Sequence, residues 1–296
     1  MKKYLKHLMA VAVCLVVAVG LFAGCTANLG TELTADADVE TAKTYVIEAV
    51  EATKAYTDGF KVTLTADSDM KMDGSEYSTK MNGEVASTGE KAYSKTEISV
   101  KLNSKGSSTN LEMQSDSYWG KVGDDFVKYD KNSEEKYVYE TELEFESDLP
   151  EFMDSLLGAG TDMETGAEVL EFLFEDLNFE VLDEEEDLSY KLYKVSDSEY
   201  NFVLKVDMTE GPQKTEMEIT IGLKDGKVSS ITMAAKMFSD EREDGAEEAV
   251  WESAGSAKIT INVQYEVKDF TIASASAIED YEETSWASSV GPSIGF

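Results

Sequence analysis

Over most of its length this chain changes character at every second residue. Phe60, Val62, Leu64, Ala66, Met70 and Met72 alternate with polar neighbours. In a strand, successive side chains leave opposite faces, so such a run makes one dry face and one wet face. The alternation returns at Tyr77, Met81 and Val85, at Ile98, Val100 and Leu102, and at Leu111, Met113 and Trp119. A short hairpin, Tyr118–Val122 into Phe126–Tyr129, turns at Gly123-Asp124-Asp125, and Tyr137, Tyr139, Leu143 and Phe145 complete the first half. A second set follows: Phe179 and Val181; Leu188, Tyr190 and Leu192; Tyr200, Phe202, Leu204 and Val206; and Met217, Ile219, Ile221 and Leu223. It closes with Ile231, Met233, Ala235 and Met237, then Ile259, Ile261, Val263, Tyr265 and Val267. Asp73-Gly74 and Asp225-Gly226 are two-residue hairpin signals, and Gly89 and Gly106 mark further turns. One-sided strands joined by short turns predict an antiparallel meander, not a parallel sheet.

The two-residue period breaks in two places. Ala42, Tyr45, Val46, Ala49, Val50 and Tyr56 fall mostly three or four apart, which predicts an amphipathic helix capped by Asp36 or Asp38 and ended by Asp58-Gly59. In mid-chain, Asp148 and Pro150 open a stripe of Leu149, Phe152, Met153, Leu156 and Leu157, stopped by Gly158 and Gly160. A capping box, Thr165-Gly166-Ala167-Glu168, then precedes Val169, Leu170, Leu173, Phe174 and Leu177. This helix pair is expected to plug the sheet. Residues 279–296 show no periodicity and are expected to be loosely held.

What the chain lacks limits its chemistry. The cysteines are Cys14 and Cys25, the one histidine is His7, and the one arginine is Arg242. A chain shortened to residues 26–296 has no Ser-His-Asp triad, Cys-His pair, internal disulfide or usual zinc site. We therefore assign no catalytic residue, no metal and no cofactor. Asp67, Asp69 and Asp73-Gly74 resemble a calcium loop at first sight, but Lys71 and Lys80 occupy ligand positions. The acidic runs 183–187 and 240–248 read as solvated turns. Losing Lys2, Lys3 and Lys6 with the first 25 residues takes the net charge from −34 to −37, which opposes nucleic acid as a partner.

Those first residues follow a pattern of their own. A basic start, Met1-Lys2-Lys3-Tyr4-Leu5-Lys6, leads into an apolar run from Leu8 to Phe22 and then Ala23-Gly24-Cys25. The order basic, apolar, small is that of a secretory signal peptide. With cysteine directly after the cut it resembles a bacterial lipoprotein signal, which implies cleavage between Gly24 and Cys25 and a diacylated Cys25. Phe22 stands where that pattern usually has Leu. The alternatives are a signal cut elsewhere or an uncleaved anchor, for which the run is short of the about 20 residues a span needs. Two acyl chains would make a stable anchor. The expected location is the outer face of the cytoplasmic membrane, in the bacterial envelope.

The layout is an amphipathic helix ending in Ala55-Tyr56-Thr57-Asp58-Gly59-Phe60, a meander, a helix pair and a second meander with the Leu223-Lys224-Asp225-Gly226-Lys227-Val228 hairpin. Behind a lipobox, this resembles the LolA/LppX-like lipoprotein superfamily. The resemblance implies an α+β fold: a strongly curved antiparallel sheet of about 11–12 strands, an incomplete barrel, with the helices on its concave face. The expected division is signal peptide 1–24, flexible tether 25–38, one domain 39–278 and tail 279–296. Within the family, the space between sheet and helices holds acyl chains in some members and serves protein contacts in others. Here Phe152, Leu156, Leu170, Leu173 and Phe174 are the candidate lining of such a space, with the filling of a dry core as the alternative. The candidate partners are the membrane, a lipid-like ligand and an envelope protein or glycan. Tyr118, Tyr129, Tyr137 and Tyr139 form a candidate contact surface or cross-strand pairs.

Overall fold

The computed structural model describes residues 29–56, 58–72, 75–88, 91–104, 107–122, 125–130, 135–139, 177–183, 187–210, 213–240, 249–269 and 282–283. The expected signal peptide, the predicted mid-chain helix pair and most of the expected tail lie outside these residues. So do Gly24, Cys25, Phe152, Leu156, Leu170, Leu173 and Phe174.

Within the described residues the alternating runs become strands, all but Phe179 and Val181; Leu143 and Phe145 lie outside those residues. The first meander is β2 (Phe60–Met72), β3 (Ser75–Ser87), β4 (Lys91–Ser104), β5 (Ser107–Val122), β6 (Asp125–Asp130) and β7 (Glu135–Tyr139). The second is β8 (Leu188–Ser196), β9 (Glu199–Glu210), β10 (Gln213–Lys224), β11 (Lys227–Asp240) and β12 (Trp251–Tyr265). Two-residue strands β1 (Thr31–Glu32) and β13 (Glu282–Glu283) lie at the margins. All form one 13-stranded sheet in the order β1-β8-β9-β10-β11-β12-β2-β3-β4-β5-β6-β7-β13, open at β1 and β13. Each meander pairs only neighbours. The two are welded where β12 pairs with β2, Tyr265 opposite Phe60 and Gly255 opposite Met70. Among the described residues every pairing is antiparallel except β13 on β7.

Helix α1 (Asp36–Lys54) buries Ala42, Val46, Ala49, Val50 and Thr53, the three-to-four spacing that an apolar stripe requires. Its N-cap is Ala35, without a side-chain cap; Asp36 and Asp38 sit inside the first turn, where their charge suits the helix dipole. Its C-cap is Ala55, ahead of Asp58-Gly59. Gly59 serves a close approach instead, since a Cβ there would collide with the carbonyl oxygen of Val267. Phe179–Leu182, expected as strand, is a one-turn helix, α2. The Asn178 side-chain oxygen accepts from the Glu180 amide at 2.9 Å, and Phe179 packs edge-on against Phe202. Four residues of alternation hold too little apolar surface to override that local cap.

The structure also shortens the expected 25–38 tether. Leu29 O accepts from Asn201 Nδ2 at 3.0 Å, Thr31 and Glu32 pair with Lys194 and Tyr193, and Leu33 N donates to Leu192 O at 2.9 Å. Gly30 has φ +92°, and a Cβ there would strike the Lys194 carbonyl, so glycine permits the docking. The tail is likewise engaged at Glu282 and Glu283, which pair with Glu135 and Lys136 of β7.

Candidate functional site

The side chains of one sheet face form rows running across the strands. One row is Leu192, Phe202, Ile221, Ile231, Ile261, Leu64, Gly83, Thr96 and Ser115, from β8 to β5. The next is Tyr190, Leu204, Ile219, Met233, Ile259, Ala66, Met81, Ile98 and Met113. This dry face is the core of the protein. The opposite face carries ion pairs such as Lys61–Glu84 at 2.7 Å and Lys205–Glu218 at 3.0 Å. Asp67, part of the calcium-like pattern, pairs there with Lys80 at 3.3 Å.

At one end of the strands, here the proximal end, α1 is latched to the sheet. Tyr45 donates its hydroxyl to Ser198 O at 2.9 Å and accepts from Gly226 N at 2.8 Å, bridging the β8–β9 and β10–β11 turns. Thr53 Oγ1 donates to Ala49 O and accepts from the buried Val228 amide at 2.9 Å. Tyr265 donates to Val228 O at 2.5 Å, and burial pushes its phenol up to about 12. Tyr56 meets the Tyr265 ring edge-on at 4.8 Å, and the Lys227 ammonium sits 5.4 Å from the Tyr265 ring centre. Further along the helix, Lys43 stands 5.5 Å from both the Phe179 and Tyr190 rings and 3.5 Å from Asp183. The Tyr190 hydroxyl, with Glu40 and Asp183, holds the Lys43 ammonium above its ordinary range.

The rows under this latch are rigid and large: Phe60, Val62, Leu64, Val85, Phe202, Ile221, Leu223, Val228 and Ile231 are all buried. Toward the other, distal, end the composition changes. Met70, Met81, Met113, Met208, Met217, Met233 and Met237 all lie there on the dry face, among Ala66, Ala235, Ala257 and Gly255. Met237 and Met70 flank Gly255, and a Cβ on that glycine would lie 3.5 Å from Met237 Cε and 3.3 Å from Met70 Cγ. Met70, Met81, Met208, Met217 and Met233 are buried, and unbranched, polarizable methionines among small residues make a packing that can adapt its shape. At the β3–β5 wing the dry face emerges into solvent, with Leu111 53 %, Met113 48 % and Tyr77 38 % exposed.

Sequence reasoning found the dry face but not this gradient along it. The gradient was readable, because Met81, Met113, Met208, Met217, Met233 and Met237 share strand parity with the core residues. Tyr118, expected as exposed, is buried. It lies over Gly120, where a Cβ would come within 2.5 Å of its hydroxyl, and burial raises its phenol above the ordinary value. Among the described residues no cluster of His, Cys, Asp or Glu is placed to hold a metal ion. No described helix is long and apolar enough to cross a membrane.

No protein-family model and no curated protein matches the chain. Among solved structures, it is similar to one described as "lipid-protein interactions in lipovitellin", at 8% identity and TM-score 0.29, over 73% of this chain and 26% of that one. It is also similar to a putative outer membrane lipoprotein-sorting protein domain from Vibrio parahaemolyticus, at 9% identity and TM-score 0.19, over 77% of this chain and 94% of that one. A third is the translocator domain of the autotransporter NalP from Neisseria meningitidis, at 9% identity and TM-score 0.15, over 81% of this chain and all of that one.

Proposed function

We propose that this protein is a non-enzymatic bacterial lipoprotein, held on the outer face of the cytoplasmic membrane by a diacylated Cys25, that binds a lipid-like ligand against the dry face of its sheet. One observation carries the reading. The dry face continues past the latched helix into methionine and small side chains and ends in the exposed Tyr77, Leu111 and Met113. A contiguous exposed apolar surface costs solubility unless something uses it. Met113 lies at that surface and the methionines inward of it are buried, a lining that suits a flexible apolar or amphipathic guest better than a rigid one. With no histidine or thiol in residues 26–296, the chain offers binding groups and none of the usual nucleophilic machinery.

The test is native mass spectrometry of residues 26–296 purified from the natural host, before and after denaturing extraction. The expected result is an added mass that leaves on denaturation and fragments as an acyl lipid. A bare polypeptide mass would overturn ligand binding and transfer the exposed residues to contact with an envelope protein or glycan. The anchor is tested separately: Cys25→Ser is expected to move the protein from the membrane fraction to the soluble one.

A further inference from the structure

We infer that the domain stands on the bilayer by its proximal end, with the β8–β9 and β10–β11 turns facing the lipid surface and the methionine-lined end facing away. This rests on the lipidation of Cys25 proposed above. The first observation is the length of the leash. Only Thr26, Ala27 and Asn28 separate Cys25 from Leu29, and four Cα steps of about 3.6 Å reach at most about 14 Å. The second is where the leash is fastened. Leu29 is held by Asn201 and Gly30 lies on Lys194, three or fewer residues from the 197–198 turn on either strand. The Glu32 carboxylate adds an ion pair to Lys191 at 2.9 Å. The docked β1 thus fixes the attachment point at one corner of the sheet, not on a free tether.

The third observation is charge. The β11–β12 connection, residues 240–248, holds Asp240, Glu241, Glu243, Asp244, Glu247 and Glu248 against a single Arg242. Asp240 pairs with Trp251, so this connection leaves the sheet at the distal end. From Ser230, which lies level with Asn262 and Gly222 near the leash, ten strand steps lead to Asp240, about 33 Å. An anionic lipid surface repels that acidic end, and about 33 Å is several times the about 8 Å screening length at physiological salt, so standing upright relieves the repulsion. The leash and the charge therefore select the same orientation.

The absence of other cysteines in residues 26–296 makes the test clean. Full-length lipidated protein is prepared with a fluorescent donor at Ser198→Cys or at Gln213→Cys, both exposed, at opposite ends of the β9–β10 hairpin. It is then reconstituted into phosphatidylethanolamine/phosphatidylglycerol vesicles carrying an acceptor-labelled lipid. The expected result is several-fold stronger energy transfer from position 198 than from 213. Inserting 20 Gly/Ser residues between Asn28 and Leu29 removes the short leash but not the charge, and is expected to weaken that difference. Equal transfer from both positions, or stronger transfer from 213, overturns the orientation. Membrane retention of Cys25→Ala would overturn the lipidation reading instead, and is scored by fractionation, independently of the donors.

Discussion

The proximal and distal halves of the dry face share strands, register and topology, yet they are built from different side chains for different ends. The proximal rows hold Phe60, Leu64, Phe202, Ile221 and Ile231, which are branched or aromatic, and α1 is latched over that end by Tyr45, Thr53 and Tyr265. Such side chains have few rotamers and lock into a single packing. The distal rows hold methionines over Ala235, Ala257 and Gly255, side chains that fill irregular space without dictating its shape. The difference teaches that one sheet can divide labour along its strands. Branched and aromatic packing concentrates where the helix is latched, methionine packing concentrates toward the distal end, and the face meets solvent at Tyr77, Leu111 and Met113.

Four variants or conditions test that division, from the largest effect on stability to the smallest. Phe202→Ala removes a fully buried ring that also meets Phe179 and Tyr190, and is expected to cost about 3–5 kcal/mol in denaturant unfolding. An equal loss from Met208→Ala would erase the distinction between the halves. Thr53→Val keeps the shape but leaves the Val228 amide without its buried acceptor, an expected loss of about 1–3 kcal/mol. Alkali offers a third probe. The Tyr265 phenol titrates near 12 when folded against about 10 when unfolded, so its contribution is whole below pH 10 and is lost as pH rises through 12. Stability is therefore expected to fall between pH 10 and 12, and Tyr265→Phe to flatten that fall; an unchanged alkaline profile would remove Tyr265 from the latch. Last, Leu111→Gln with Met113→Gln is expected to leave stability within about 0.5 kcal/mol while weakening uptake of a fluorescent fatty acid. Unweakened uptake would detach the exposed wing from the ligand site.

Much of the fold was legible because period two is a local property. β2 begins at Phe60 and turns at 73–74, and the Asp225-Gly226 hairpin lies where its dipeptide signals it. The sheet order was less so, because the pairing of β12 with β2 joins residues almost 200 positions apart and no local pattern announces it. Two errors share one cause. Phe179–Leu182 turned into a helix through the Asn178 cap, and residues 29–33 docked through Gly30, Asn201 and a two-residue strand. In each case a few polar contacts made in three dimensions decided a stretch too short for periodicity to govern. Within the candidate site, parity told which residues face inward. What separates the two halves is which inward residues lie under α1, and that follows from Tyr45 reaching two turns more than 150 residues away along the chain.

The β12–β2 weld also governs how the molecule comes into being. Each meander assembles from neighbouring hairpins, whose short loops close quickly. The first meander cannot complete its dry face until Trp251–Tyr265, near the end of the chain, arrives beside Phe60–Met72. Non-local pairing of this kind slows folding, and until it happens β2 presents a thirteen-residue unpaired edge with an apolar face. A truncation just before residue 251 is thus a sticky intermediate frozen in place, and β12 acts as the closing seam between the two meanders.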